Sequence, residues 1–314
     1  MIVSSRPHQD RAVSLLDDAS RALLAGRVDL AMRAINCGLL AIRAESSADR
    51  WRLTVDEVRK HPVTAILRGS AFTARSVAKP RGYSGDALTM DLIYGSQAAS
   101  HDSALAADIF AYELATQSCH SVRGRRSFAT RVLRDAVGRS GTAVLALACG
   151  HLREVDATLL AGMADDTCIV AMDNDAETLA ALRRRISDAR VVTCHANVAA
   201  LVRGGTELGT FDLIYTLGLY DYLDQRIARA LTRRLLRLLR PGGRLLVANF
   251  APNLLDAGYM EAVMDWWLVY RDEAAMLDLA SGCGGDYHVD VYRDALEALV
   301  YLDAVKDPSG AEPP

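Results

Sequence analysis

Six cysteines, Cys37, Cys119, Cys149, Cys168, Cys194 and Cys283, are scattered through the 314 residues without one C-x-x-C pair. That spacing excludes the common zinc and iron–sulfur frameworks, and His120, His151, His195 and His288 supply no metal-ligand spacing either, so no metal is expected. Several of the cysteines sit in apolar runs, where they read as reduced core residues of a cytoplasmic protein. The start, MIVSSRPHQD, lacks an apolar segment long enough for secretion, and no run approaches the ~18 apolar residues of a membrane span. Lysine is scarce, the cations being nearly all arginine. With 36 Lys+Arg against 39 Asp+Glu and no basic patch beyond local arginine runs, nucleic acid is not an expected partner. Repeats and low-complexity segments are absent. The tail DPSGAEPP, residues 307–314, has the composition of a disordered end.

What is present is a large apolar fraction, 51%, enough for one large domain or two modest ones. Residues 1–138 carry helical periodicity: Ala12–Ala25, Val28–Ala44, Thr54–Ile66, Ala104–Cys119 and Ser127–Val137 each place apolar side chains three and four apart. Within this helical N-terminal region, the stretch 79–95 is either a surface turn between two helices or a lid or substrate loop. Its Lys-Pro-Arg-Gly-Tyr-Ser-Gly-Asp start is turn chemistry, with polar side chains held near glycines.

Residues 139–306 change character. Val144–Ala148, Cys168–Met172, Arg190–Cys194, Phe211–Leu217 and Arg244–Phe250 are short apolar runs without alternation, as buried parallel strands require, and helical stretches separate them. Such alternation predicts an open, doubly wound α/β sheet of Rossmann type, whose ligands lie beyond the carboxyl ends of the strands. Gly150, Asp173 and Tyr215–Gly218 fall at those ends. Gly150 lets a backbone approach a ligand closely, and Asp173, about 20 residues later, offers a carboxylate to both hydroxyls of a ribose. A pyrophosphate needs the three glycines of GxGxxG, whereas this turn reads Ala148-Cys149-Gly150-His151-Leu152-Arg153-Glu154. The missing glycines argue against a nicotinamide cofactor.

VLALACG (144–150), the acidic end of VAMDND (170–175), FDLIYTLGL (211–219) and LLRPGGRLLV (238–247) together resemble the class I methyltransferases dependent on S-adenosylmethionine, over roughly residues 140 to 305. The resemblance implies that cofactor and a closing antiparallel hairpin, which Tyr287–Tyr292 and Leu299–Val305 fit. KPRGYSGDALTMDLIYG (79–95), LACGHLREV, GLYDYL (218–223) and MDWWLVYRDE (264–273) look more narrowly like the methyltransferases that make 3-hydroxypalmitic acid methyl ester, a bacterial signalling ester. The chain departs from the family pattern at Ala148, where glycine is common, at Gly150-His151, where Gly-Pro is usual, and at Ala146, where many members carry an acid.

On the cofactor side the candidates are Tyr83, Gly150, Glu154, Asp173, Asn174, Asn197, Leu217 and Gly218. Glu154 either suits the start of a helix by its charge alone or holds the cofactor's ammonium. Arg123, Arg125 and Arg126 are a solvated basic helix face or a carboxylate clamp, and Arg126 is the one taken for substrate. Tyr220, Tyr222, Asn249, Trp266, Tyr270 and Arg271 complete the acceptor side, with Trp266, Trp267, Tyr270 and Arg271 expected to share a helix. Tyr83, Asp86 and His120 are the candidates for direct participation in catalysis if a base is used.

The resulting expectation is methyl transfer to a small or lipid-like acceptor, most simply a carboxylate giving a methyl ester. Transfer to N, C or a hydroxyl, and a scaffold turned to non-methylating chemistry, stand beside it. A purely interacting protein is the third reading. Oligomeric state is not legible.

Overall fold

The computed structural model describes residues 6–205, 208–283 and 287–308. In chain order the elements are α1 (Arg6–Leu24), α2 (Val28–Glu45), α3 (Ala48–Lys60), α4 (Val63–Leu67), α5 (Ala71–Ala78), α6 (Ala87–Ile93), α7 (Ala104–Leu114), α8 (Gln117–Val137), β1 (Ala143–Leu147), α9 (Ala157–Ala161), β2 (Cys168–Asp173), α10 (Ala176–Arg185), β3 (Val191–His195), α11 (Val198–Val202), β4 (Phe211–Thr216), α12 (Gln225–Arg237), β5 (Leu239–Phe250), α13 (Ala257–Ala262), α14 (Glu273–Leu279), β6 (Tyr287–Arg293) and β7 (Leu299–Lys306). They group into one unit of Met1–Val122 with Asn253–Trp267 and another of Arg123–Pro252 with Leu268–Pro314. Patterning placed the change at residue 138. The division instead runs through α8 and joins a short later segment to the helical unit. Of the tail expected to be disordered, residues 309–314 lie outside the described residues.

In the helical unit the apolar stripes converge on Leu16, Met32, Ile35, Leu39, Ile42, Val58, Leu67 and Ile109, all fully buried, each contributing about 1.5–3 kcal/mol by leaving water. The expected Thr54–Ile66 helix is two helices: Pro62 lacks an N–H and forces His61 into extended backbone, which ends α3. The expected Ala104–Cys119 helix stops at Leu114, and Gln117 starts α8, which runs on through Ser127–Val137. Segment 253–267 belongs here because α13 packs directly on α2. A Cβ at Gly258 would lie 2.8 Å from the Leu39 carbonyl carbon, so only glycine permits the approach.

The sheet unit is a seven-stranded sheet in the order β3-β2-β1-β4-β5-β7-β6. β1 to β5 run parallel, and β7 enters antiparallel between β5 and β6. This is the expected doubly wound architecture with its hairpin end. The order turns from descending to ascending between β1 and β4, which places the switch point, and hence the ligand crevice, at their carboxyl ends. β5 starts earlier than its apolar run: Leu239 pairs Phe211, the Arg240-Pro241-Gly242-Gly243 stretch bulges, and regular pairing resumes at Arg244 opposite Leu213. Leu145, Ile214, Leu235, Leu245 and Leu302 lie in the apolar core between this sheet and α12.

Trp266, Trp267, Tyr270 and Arg271 do not share a helix. They lie in irregular chain between α13 and α14, begun by Asp265 in the left-handed region (φ 52°). From Val269 the backbone serves other partners: Val269 N–H donates to Asp221 O at 2.7 Å and Arg271 N–H to Phe250 O at 3.0 Å. Aromatic spacing of four residues imitated helix periodicity there.

Candidate functional site

The turn after β1 is built on three alternating left-handed residues, Ala148 (φ 52°), Gly150 (φ 53°) and Leu152 (φ 50°). Glycine stands at only one of them, and each L side chain held there costs about 1–2 kcal/mol. Cys149 N–H to Met172 O (3.1 Å) and Leu152 N–H to Cys149 O (2.9 Å) fasten the turn. Gly150 N–H donates to Asp173 Oδ2 at 2.9 Å, and Asp175 N–H to Asp173 Oδ1 at 3.0 Å. Burial pushes the Asp173 carboxyl up from its ordinary value while these backbone donors pull it down. Each oxygen accepts a backbone N–H and retains acceptor capacity, so the group suits two vicinal hydroxyls. One glycine instead of three suits a nucleoside without phosphates. Thr216, fully buried at the end of β4, has a hydroxyl without a hydrogen-bond partner among the described residues, a polar group in want of a partner at the strand end where a ligand belongs.

Beside this turn, Glu154 is buried and accepts the Tyr215 hydroxyl at 2.7 Å. Desolvation raises its pKa, opposed by Tyr215 and more weakly by Arg185 and Arg126. Tyr215 pairs in register with Ala146, and side chains paired in register share a face of the sheet. Alanine on β1 therefore leaves room beside the ring that brings a hydroxyl to Glu154. The Cys149 thiol is pushed well up by burial and then by the charges of Asp173 and Glu154, which makes it inert rather than nucleophilic.

At the ends of β4 and β5 the polar side chains hold one another. Arg271, 2% exposed, donates through Nη1 to Tyr220 O (2.8 Å) and Asn249 Oδ1 (2.6 Å), through Nη2 to Leu223 O (2.6 Å), and through Nε to Gln225 Oε1 (2.9 Å). Asn249 spends its amide on Val269 O at 2.8 Å and Phe250 O at 2.9 Å. The Tyr220 and Thr232 hydroxyls share a hydrogen bond at 2.9 Å. Asp221 Oδ1 accepts Phe250 N–H at 2.7 Å, with Arg125 Nη1 3.9 Å from Oδ2. Burial carries the Asp221 carboxyl up to about 6 against the pull of Arg125. Arg271 thus ties Asn249 and the Tyr220 carbonyl together near the ends of β4 and β5. All three are expected on the acceptor side from the sequence.

The remaining cofactor candidates divide. Asn174 is exposed next to Asp173, Asn197 caps α11 by accepting Ala200 N–H at 2.8 Å, and Leu217 and Gly218 continue β4 half-buried. Tyr222 is exposed, Arg126 and Tyr270 are half-buried, and all three belong to the sheet unit. Tyr83, Asp86, His120 and Trp266 belong to the helical unit. There Asp86 caps α6 by accepting Thr89 N–H at 2.8 Å and is gripped by the Arg75 fork, Nε at 3.0 Å. Tyr83 is half-buried in its loop, His120 is exposed on α8, and Trp266 packs edge-on against Phe72 at 6.0 Å. Arg185 and Asp221 were missed. Arg185 ends a run of three arginines that reads as a solvated helix end, and Asp221 was hidden inside an aromatic motif.

No group of His, Cys, Asp and Glu among the described residues could hold a metal ion, and no helix among them is long and apolar enough to cross a membrane. The methyltransferase domain family matches residues 144–243, the span from β1 into the β5 bulge. No curated protein matches the chain by sequence. Among solved structures, one described as a possible exported protein from Bordetella parapertussis is similar over 97% of both chains, at 18% identity and TM-score 0.58. An O-methyltransferase family protein from Burkholderia thailandensis is similar over 67% of this chain and 62% of its own, at 21% identity and TM-score 0.45. Magnesium protoporphyrin IX methyltransferase from Synechocystis, with bound S-adenosylmethionine, is similar over 69% of this chain and 89% of its own, at 13% identity and TM-score 0.44.

Proposed function

We propose that this protein is an S-adenosylmethionine-dependent methyltransferase of class I, as its methyltransferase-domain match over residues 144–243 supports, and that it methylates a carboxylate oxygen of a small or lipid-like acid and releases a methyl ester. One observation carries the choice of acceptor. Near the ends of β4 and β5, the Arg271 and Asn249 side chains are occupied in holding each other and the backbone, and the Tyr220 hydroxyl is shared with Thr232. A carboxylate needs no base from them, since it is already a nucleophile at neutral pH.

Bound S-adenosylmethionine supplies an electrophilic methyl group on a sulfonium. The chain's own residues have simpler tasks. Asp173 and the Gly150 backbone hold the ribose side, and Glu154, oriented by Tyr215, faces the amino-acid side as a counter-charge to an ammonium. The buried apolar walls of β1 and β4 exclude water, which strengthens these contacts and favours a step in which opposite charges are neutralised. Alignment of donor and acceptor supplies the rate. An acid of the 3-hydroxypalmitic type is the first acceptor to try, on the resemblance of segments 79–95, 218–223 and 264–273.

The test is incubation of purified protein with methyl-labelled cofactor and panels of long-chain hydroxy acids, phenols and amines. A base-labile methyl ester formed from the acids alone supports the proposal. Label on a phenol or amine, with none on the acids, sinks the carboxylate reading and leaves the methyltransferase in place.

A further inference from the structure

Leu152 occupies the left-handed region (φ 50°) with a fully buried side chain. An L residue with a branched side chain leaves that region unless something holds it. The two peptide planes flanking its Cα carry the carbonyls of His151 and Leu152, and both accept from one atom, Arg185 Nη2, at 2.8 and 2.7 Å. Arg185 Nη1 meanwhile donates to Val155 O at 3.0 Å. Fixing both planes fixes φ and ψ of Leu152. Glu154 lies between the carbonyls so held, and Gly150, which donates to Asp173, lies two residues before Leu152.

We infer that Arg185, the last residue of α10, is a positioning residue for the cofactor turn: its guanidinium holds residues 151–155 in the shape that a glycine at 152 would adopt unaided. The inference rests on the cofactor reading of that turn. A planar fork with several fixed donors suits three carbonyls at once, which a lysine ammonium on a flexible stem does not match. The Leu152 side chain is fully buried, and Arg185 is the device that lets it sit at a glycine's conformation. The rest of α10 needs no such bond, since Asp175 caps its start and Leu179 and Leu182 bury its face.

The experiment measures S-adenosylhomocysteine affinity by calorimetry for the wild type, Arg185→Met, Arg185→Lys, Leu152→Gly and the Arg185→Met/Leu152→Gly pair, with melting curves beside it. Arg185→Met is expected to weaken binding about 5- to 30-fold, the range set by one left-handed side chain losing its restraint. Arg185→Lys should fall between it and the wild type. In the Leu152→Gly background the same Arg185→Met change should cost less than about 3-fold, because glycine reaches the left-handed region unaided. Two results overturn the inference: a lower melting temperature in Arg185→Met and Arg185→Lys with unchanged affinity, or an equal loss of affinity in both backgrounds. Absence of binding by the wild type removes the cofactor reading and this inference with it, whereas wild-type binding with either overturning result removes this inference alone.

Discussion

The Tyr215 hydroxyl donates to Glu154 Oε1 at 2.7 Å, so the buried acid beside the turn after β1 is aimed from β4 rather than supplied by β1, where Ala146 stands. Glu154 is desolvated and gains most from a cation placed against it. Glu154→Gln is therefore expected to weaken S-adenosylhomocysteine binding about tenfold, the scale of one charge-assisted hydrogen bond. It should leave 5′-methylthioadenosine, which lacks the amino-acid group, nearly unaffected. Equal losses for both ligands would show that Glu154 only supports the fold.

Ala148→Gly should leave the fold as stable as before or raise it by up to about 1 kcal/mol, the left-handed strain relieved at φ 52° being partly offset by glycine's greater freedom when unfolded. Chemical denaturation measures it. A loss of more than about 1 kcal/mol would mean the alanine methyl makes a contact that outweighs its strain.

Arg271→Met leaves Asn249 Oδ1, Gln225 Oε1 and two backbone carbonyls without their donor in a buried setting. Such a change should lower stability by about 3 kcal/mol or more, read from the denaturant midpoint. A variant as stable as the parent and defective only in acceptor KM would restore Arg271 to the substrate.

Glu113 in the helical unit accepts the hydroxyls of Ser70, Thr73 and Tyr259, and burial raises its carboxyl to about 7. Below about pH 4.5 the folded and unfolded chains both hold its proton. Between there and about 7 the folded chain retains a proton that the unfolded chain has released, so its contribution to stability falls as pH rises through that window. The melting temperature should fall between about pH 4.5 and 7 and level off above, and Glu113→Gln should flatten that slope. An unchanged slope in the variant would place the titration elsewhere.

Asp86 tests what the sequence offered as a base. The Arg75 fork and the cap of α6 occupy it, so Asp86→Asn is expected to lower stability by about 1–3 kcal/mol and to leave turnover at saturating acceptor within about twofold. Steady-state rates and melting curves on the same preparation separate the two effects. Turnover falling a hundredfold in a fully folded variant would return Asp86 to the chemistry.

The strands were legible because a sheet covered on both faces leaves no polar alternation: each of the first four expected runs lies within a residue of its strand, and β5 exceeds its run only by the part that carries the bulge. Helix ends were less so. Pro62 marked a break that apolar spacing ran through, and Asp86 before an apolar stretch was a capping signal outweighed by its loop. The aromatics of 266–270 gave helical spacing without a helix, since the backbone N–H groups of Trp266, Val269 and Arg271 go to Met260, Asp221 and Phe250, partners that no local pattern announces. Arg185 escaped for the same reason: what it touches is the backbone of residues 151–155, distant in sequence, and carbonyls carry no residue signature.

Asp173 and the Gly150 turn are expected to hold S-adenosylmethionine. Calorimetric titration of S-adenosylhomocysteine into the wild type and Asp173→Ala tests it most directly. The wild type is expected to bind at micromolar strength, weakened at least about tenfold in the variant, as for a carboxylate that accepts two ribose hydroxyls. Binding of equal strength in both proteins, with the variant folded, would contradict it.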